Sequence, residues 1–216
     1  MHFPLVCLKH PMAYSTMQMT SMTTGERTMI ILILGLIIFL GVHSVRIFAA
    51  DWRDAQIAAR GENAWKGLYS IAAIIGLIVV IYGYGAARET ATSFYSPPAW
   101  GRSVLHVAMP ISLVLFVASQ LPMGHLKKRF GHPMLWGIII WSAAHLLANG
   151  DTASVLLFAG FFVWSVVDLM SARQRPQSES EAAKVWPDLA ALIIGFGLTG
   201  IFVAFLHQWL IGVPVM

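Results

Sequence analysis

The chain has 216 residues, of which 57% are hydrophobic and only 11% charged, and its mean hydropathy is +0.71. A soluble domain carries about 25% charged residues, so this composition excludes an ordinary globular surface and indicates a membrane protein that crosses the bilayer several times. The net charge of +4 reports on topology rather than on nucleic-acid binding. A single cysteine, Cys7, excludes an intramolecular disulfide and a cysteine-based metal site.

Residues 1–28 carry methionines at positions 1, 12, 17, 19 and 22 and no sustained apolar run. The stretch His2–Leu8 is too short for a signal-peptide core and is interrupted by Pro4. The segment is expected to be a disordered or mis-assigned extension, with Met29 the natural beginning of a transmembrane domain over residues 29–213.

About 20 apolar residues span a hydrocarbon core as a helix. Six runs meet that length: Met29–Ala50, Gly67–Ala87, Ser103–Pro122, Pro133–Gly150, Thr152–Ser171 and Asp188–Gly212. They do not alternate at period two, which argues against transmembrane strands. The expected fold is all-α, a polytopic bundle of about six helices. Pro133 suits the first turn of the fourth helix, because its missing N–H has no helical partner there. Only Asn149-Gly150-Asp151 separates the fourth and fifth runs, so these form a tight helical hairpin, with Asp151 suited to the N-cap of the fifth. Gln174–Ala183 reads as a polar linker. Gly195, Gly197 and Gly200 in the last run read as small residues that permit close helix packing.

Orientation follows the Lys and Arg content of the loops. One side carries Arg46, Arg53, Arg60, Lys66, Lys127, Lys128, Arg129, Arg173, Arg175 and Lys184, ten in all. The other carries Lys9, Arg27, Arg88 and Arg102. The ten-residue side is expected to be cytoplasmic, with both termini periplasmic in a bacterial inner membrane. Trp52, Trp65, Tyr69, Trp100, Trp186 and Trp209 fall near the expected membrane–water interfaces, and the lipid bilayer is the first partner.

Two histidines carry the functional reading. An ionisable ring inside an apolar helix is costly and faces a partner or ligand. His145 lies inside the fourth run and His43 two thirds along the first. Two imidazoles on two membrane helices are the minimum set for axial ligation of haem iron. Their depths differ by about six residues, roughly 9 Å at the α-helical rise. Trp141, Ser142 and Asn149 lie one turn from His145 and are its expected neighbours, with Asn149 or a helix carbonyl satisfying the second ring nitrogen. Arg46, one turn past His43, and Asp168, near the end of the fifth run, lie at similar depth. They are expected to pair, or Arg46 to hold a haem propionate. His207, in the last run, is a candidate third intramembrane imidazole that reads as structural. His106, His125 and His132 read as structural.

The segments GVHSVRIF (Gly41–Phe48), WKGLYS (Trp65–Ser70), YGYGAAR (Tyr82–Arg88), HPMLWG (His132–Gly137), AHLLANGD (Ala144–Asp151) and WSVVD (Trp164–Asp168) together resemble the NnrU family. The resemblance runs from Met29 to about Arg175. It implies a polytopic bacterial membrane protein linked to denitrification, in the service of nitrite and nitric oxide reduction. Nitric oxide and components of the denitrification reductases are the partners it implies. The family also resembles the 15-cis-zeta-carotene isomerase, a membrane enzyme with haem b, whose ligating histidines match His43 and His145. That enzyme has a cysteine three residues before the second histidine, implicated in a redox ligand switch. Ser142 stands at that position here, and a hydroxyl is a poor ligand for haem iron. The sequence therefore supports a haem b protein ligated by His43 and His145, with a haem-dependent polyene isomerase, or a non-haem transporter or assembly factor, as alternatives.

Overall fold

A computed structural model describes residues 22–175 and 181–212; the expectations for the N-terminal 21 residues and for half of the linker lie outside it. The first apolar run forms α1 (Thr24–Phe48), followed by α2 (Ala50–Arg60) and α3 (Glu62–Glu89). Next come α4 (Gly101–Gln120), the short α5 (His125–Phe130), α6 (Pro133–Ala148) and α7 (Thr152–Gln174). The last run is α8 (Trp186–Ile201), continued by a π-helical stretch, Phe202–Leu206, into α9 (His207–Ile211). Among the described residues five helices are long and apolar enough to cross a membrane, and α6 is a shorter apolar one of 16 residues. The all-α membrane bundle expected from the hydropathy is the fold.

Several boundaries have local causes. Helix α1 starts at Thr24, ahead of the expected Met29. Thr23 and Glu26 form a capping box there, each side chain satisfying a backbone N–H of the other. Asp151 caps α7 by accepting from Ser154 N at 2.9 Å, as the sequence suggested. Helices α2 and α5 are too short and too polar to register as hydrophobic runs.

The helices fall into two groups. Helix α1 packs on α3 and α7, while α4 packs on α6 and α8, and the α6–α7 hairpin joins the groups. Backbones approach closely where glycine removes the side chain: a Cβ on Gly35, Gly76 or Gly83 would lie 2.6–2.8 Å from backbone nitrogens across the α1–α3 contact. In the last run only Gly195 has this role, against Val114 of α4, whereas Gly197 and Gly200 meet nothing within 4 Å. Leu32, Leu36, Val80, Tyr84, Leu157 and Phe158 fill the centre of the α1–α3–α7 group. Large apolar side chains such as Ile37, Ile78, Ile193 and Phe205 point outward, which suits a hydrocarbon solvent.

At one end of the bundle the loop after α3 closes over the α6–α7 turn. Gly150 O accepts from Phe94 N and Tyr95 N, and Tyr95 OH donates to Asn149 O at 3.0 Å. The opposite, basic end holds the ten cationic residues, helices α2 and α5, and a polar recess.

Candidate functional site

The His43 ring is positioned by its own helix. Its Nδ1 lies 2.7 Å from the Phe39 carbonyl oxygen, one turn back. Only an N–H can pair with a carbonyl, so Nδ1 holds the proton and Nε2 of the neutral ring keeps its lone pair. This is the arrangement that orients a metal-ligating histidine. Phe39, Tyr69 and Trp164 surround the ring at centroid distances of 4.3, 5.3 and 5.9 Å.

His43 lines a cavity of about 520 Å³ that opens at the basic end. Trp65, Tyr69 and Trp164 supply aromatic wall, and Arg46, Arg53, Lys66, Lys127 and Arg175 supply positive charge. Four of these cations are committed. Arg53 pairs with Asp54 at 2.7 Å and Lys66 with Glu62 at 2.8 Å. Lys127 donates to the carbonyls of Ser119 and Leu121 at the end of α4. Arg175 bonds Asp168 and Ser171, both at 3.0 Å. The expected Arg46–Asp168 pair is thus replaced: Arg175, the C-cap of α7, lies two turns beyond Asp168 on the same face, and this sequence-local partner takes the carboxylate. Arg46 is exposed, and among the described residues it makes no ion pair or hydrogen bond.

His132 lines the same cavity, where the sequence suggested only a helix cap. Its Nε2 is the buried side-chain polar atom that lacks a hydrogen-bond partner among the described residues. Such atoms are rare and mark a place where a further group is expected.

His145 is built in the same way and placed elsewhere. Its Nδ1 donates to the Trp141 carbonyl at 2.9 Å, so a helix carbonyl, rather than Asn149, satisfies it. Asn149 instead donates to the His145 carbonyl at 3.0 Å. The ring stacks on Phe158 at 4.4 Å and meets Trp141 at 5.4 Å. His207, at the end of the π-helical stretch, is near enough to interact with it electrostatically. His145 does not line the His43 cavity. The two histidines are instead linked by successive ring contacts, Phe39–Phe161 at 5.7 Å and Phe161–Trp141 at 5.3 Å. Ser142 is fully buried and donates to the Ile138 carbonyl at 2.7 Å.

Sequence reasoning placed His43, Arg46 and Asp168 near one membrane face, and the structure gathers them in one cavity. It missed Trp164, Tyr69, His132 and Arg175 as lining residues. Among the described residues no three His, Cys, Asp or Glu side chains converge as a metal site. Two imidazoles, those of His43 and His132, stand in the wall of this aromatic, cationic recess.

Comparison with curated proteins and with solved structures yields no match. The model of the family described as NnrU protein matches residues 31–215, which takes in the whole cavity and the long membrane helices apart from the first residues of α1, and the chain belongs to the NnrU family.

Proposed function

We propose that this protein binds haem b in the bacterial inner membrane and serves nitrite and nitric oxide reduction in denitrification, its termini on the periplasmic side. The observation that carries the reading is His43, with its Nδ1 proton held by Phe39 and the ring lining the basic cavity. Arg46, one turn away and uncommitted, supports it as the partner of a propionate. Trp65, Tyr69 and Trp164 would flank the macrocycle and keep water from it. When bound, haem iron supplies one-electron chemistry and a strong site for nitric oxide, which dissolves in bilayers. The chain's part is to hold the group, fix the His43 tautomer and neutralise its carboxylates.

His145 is the second expected ligand. Its ring reaches His43 only through the contacts of Trp141, Phe161 and Phe39 and does not line the His43 cavity. The polyene isomerase reading draws no support from Ser142, whose hydroxyl is committed to a carbonyl inside the core. A transporter or assembly role has no feature of its own in the described helices.

The test is the reduced-minus-oxidised visible spectrum of purified protein, as isolated and after addition of haemin. A b-type band lost in His43→Ala supports the proposal. Its loss in His145→Ala as well assigns both ligands. A featureless spectrum from folded protein after haemin addition overturns it.

A further inference from the structure

Trp164 forms a wall of two spaces. On one side lies the basic cavity with His43 and Arg46; on the other an apolar groove runs along α7 between Val155 and Val167, closed by Ile47 and Phe48 of α1. The groove lies on the side of the bundle that meets lipid, and extends about 18 Å along the helix at the α-helical rise. A polar, cationic recess and a hydrocarbon-lined groove on the two sides of one indole match a molecule with an anionic head and an apolar body.

The head chemistry follows from the cations. Arg53, Lys66, Lys127 and Arg175 are already bonded within the protein. Arg46 remains, and a guanidinium fork fits the two oxygens of a carboxylate. His132 is a second residue of the same wall, its Nε2 buried and without a hydrogen-bond partner among the described residues.

We propose that the cavity and groove together bind a carboxylate-bearing amphiphile taken laterally from the bilayer leaflet at the basic end, its head on Arg46 and its hydrocarbon past Trp164 along α7. The inference deepens the haem reading, haem b being a carboxylate-bearing amphiphile, and rests on that reading only in taking His43 as the inner end of the site.

The test uses the full chain in lipid nanodiscs with a spin-labelled stearic acid and its methyl ester. An immobilised electron-spin-resonance component is expected with the acid and absent with the ester. Arg46→Gln weakens binding of the acid about tenfold or more, the scale of one charge-assisted hydrogen bond, and Arg46→Lys recovers part of it. Ala159→Phe, which fills the groove from its lipid side, reduces the immobilised fraction. Equal retention of acid and ester, an unchanged Arg46→Gln, or displacement by phosphatidylglycerol as readily as by oleate overturns the proposal. Haemin separates the two readings. Displacement of the bound acid by haemin supports a shared site. An immobilised acid that haemin leaves in place still supports the amphiphile site and overturns only the placement of haem in this cavity.

Discussion

Trp164 Nε1 donates a hydrogen bond to Ser44 Oγ at 3.1 Å, tying α7 to α1 where the cavity meets the groove. Ser44 Oγ in turn donates to the Leu40 carbonyl at 2.6 Å. A membrane helix pair has little hydrophobic drive to associate, so one well-placed polar bond has weight. Ser44→Ala is expected to lower stability by about 1 kcal/mol. Trp164→Phe costs a similar amount, and the double variant costs less than the sum. Thermal unfolding in detergent of all three checks this; strict additivity would show that the bond contributes nothing.

The Asp168–Arg175 pair and the isolated Arg46 predict opposite outcomes for two charge removals. Asp168→Ala leaves a half-buried guanidinium without its carboxylate and is expected to destabilise by about 1–3 kcal/mol. Arg46→Ala breaks no contact in the protein and is expected to change stability by less than about 0.5 kcal/mol. Equal losses in the two variants would instead support the pairing of Arg46 with Asp168.

Glycine spacing on α3 is a further test. A Cβ at position 83 would lie 2.7 Å from Leu32 N, against the backbone of α1 rather than a movable side chain. Gly83→Ala is expected to cost about 1–3 kcal/mol. Gly197→Ala meets open space and favours helix formation, so it is expected to be neutral or slightly stabilising. A melting temperature lowered equally by both would refute the packing argument.

Asp188, in the first turn of α8, accepts from the backbone N–H groups of His125 and Leu126 at 2.8 and 3.0 Å and from His125 Nδ1 at 2.9 Å. It thereby caps α5, the short helix that presents Lys127 to the cavity. Asp188→Ala is expected to cost about 0.5–2 kcal/mol and to raise proteolytic sensitivity around Lys127 and Lys128. Unchanged cleavage would show that α5 holds without this cap.

At the opposite end, burial first and the nearby Asp151 second hold the Tyr95 phenol above its ordinary 10.0. The neutral phenol donates to Asn149, so its contribution is complete below pH 10.0, the unfolded value, and is lost as pH rises through the higher folded value. Tyr95→Phe is therefore expected to be less stable at neutral pH and to lose less on going to strongly alkaline solution. Parallel melting-temperature curves against pH for the two proteins would overturn this.

The sequence by itself determined the bundle, its helical class and the α6–α7 hairpin, because these follow from the length of apolar runs and from caps such as Asp151. It also placed His43, Arg46 and Asp168 near one face, since depth along a helix is a matter of counting residues. It did not reveal α2 and α5, whose polarity hides them from a hydropathy reading. Nor did it settle which residues face one another. In a soluble helix the polar side marks solvent, but hydrocarbon outside a membrane bundle is as apolar as the core within, so composition leaves rotation about the helix axis open. Only the packed structure turned Trp164, Tyr69 and His132 toward the His43 cavity, gave Asp168 to Arg175, and left His145 out of the wall of that cavity.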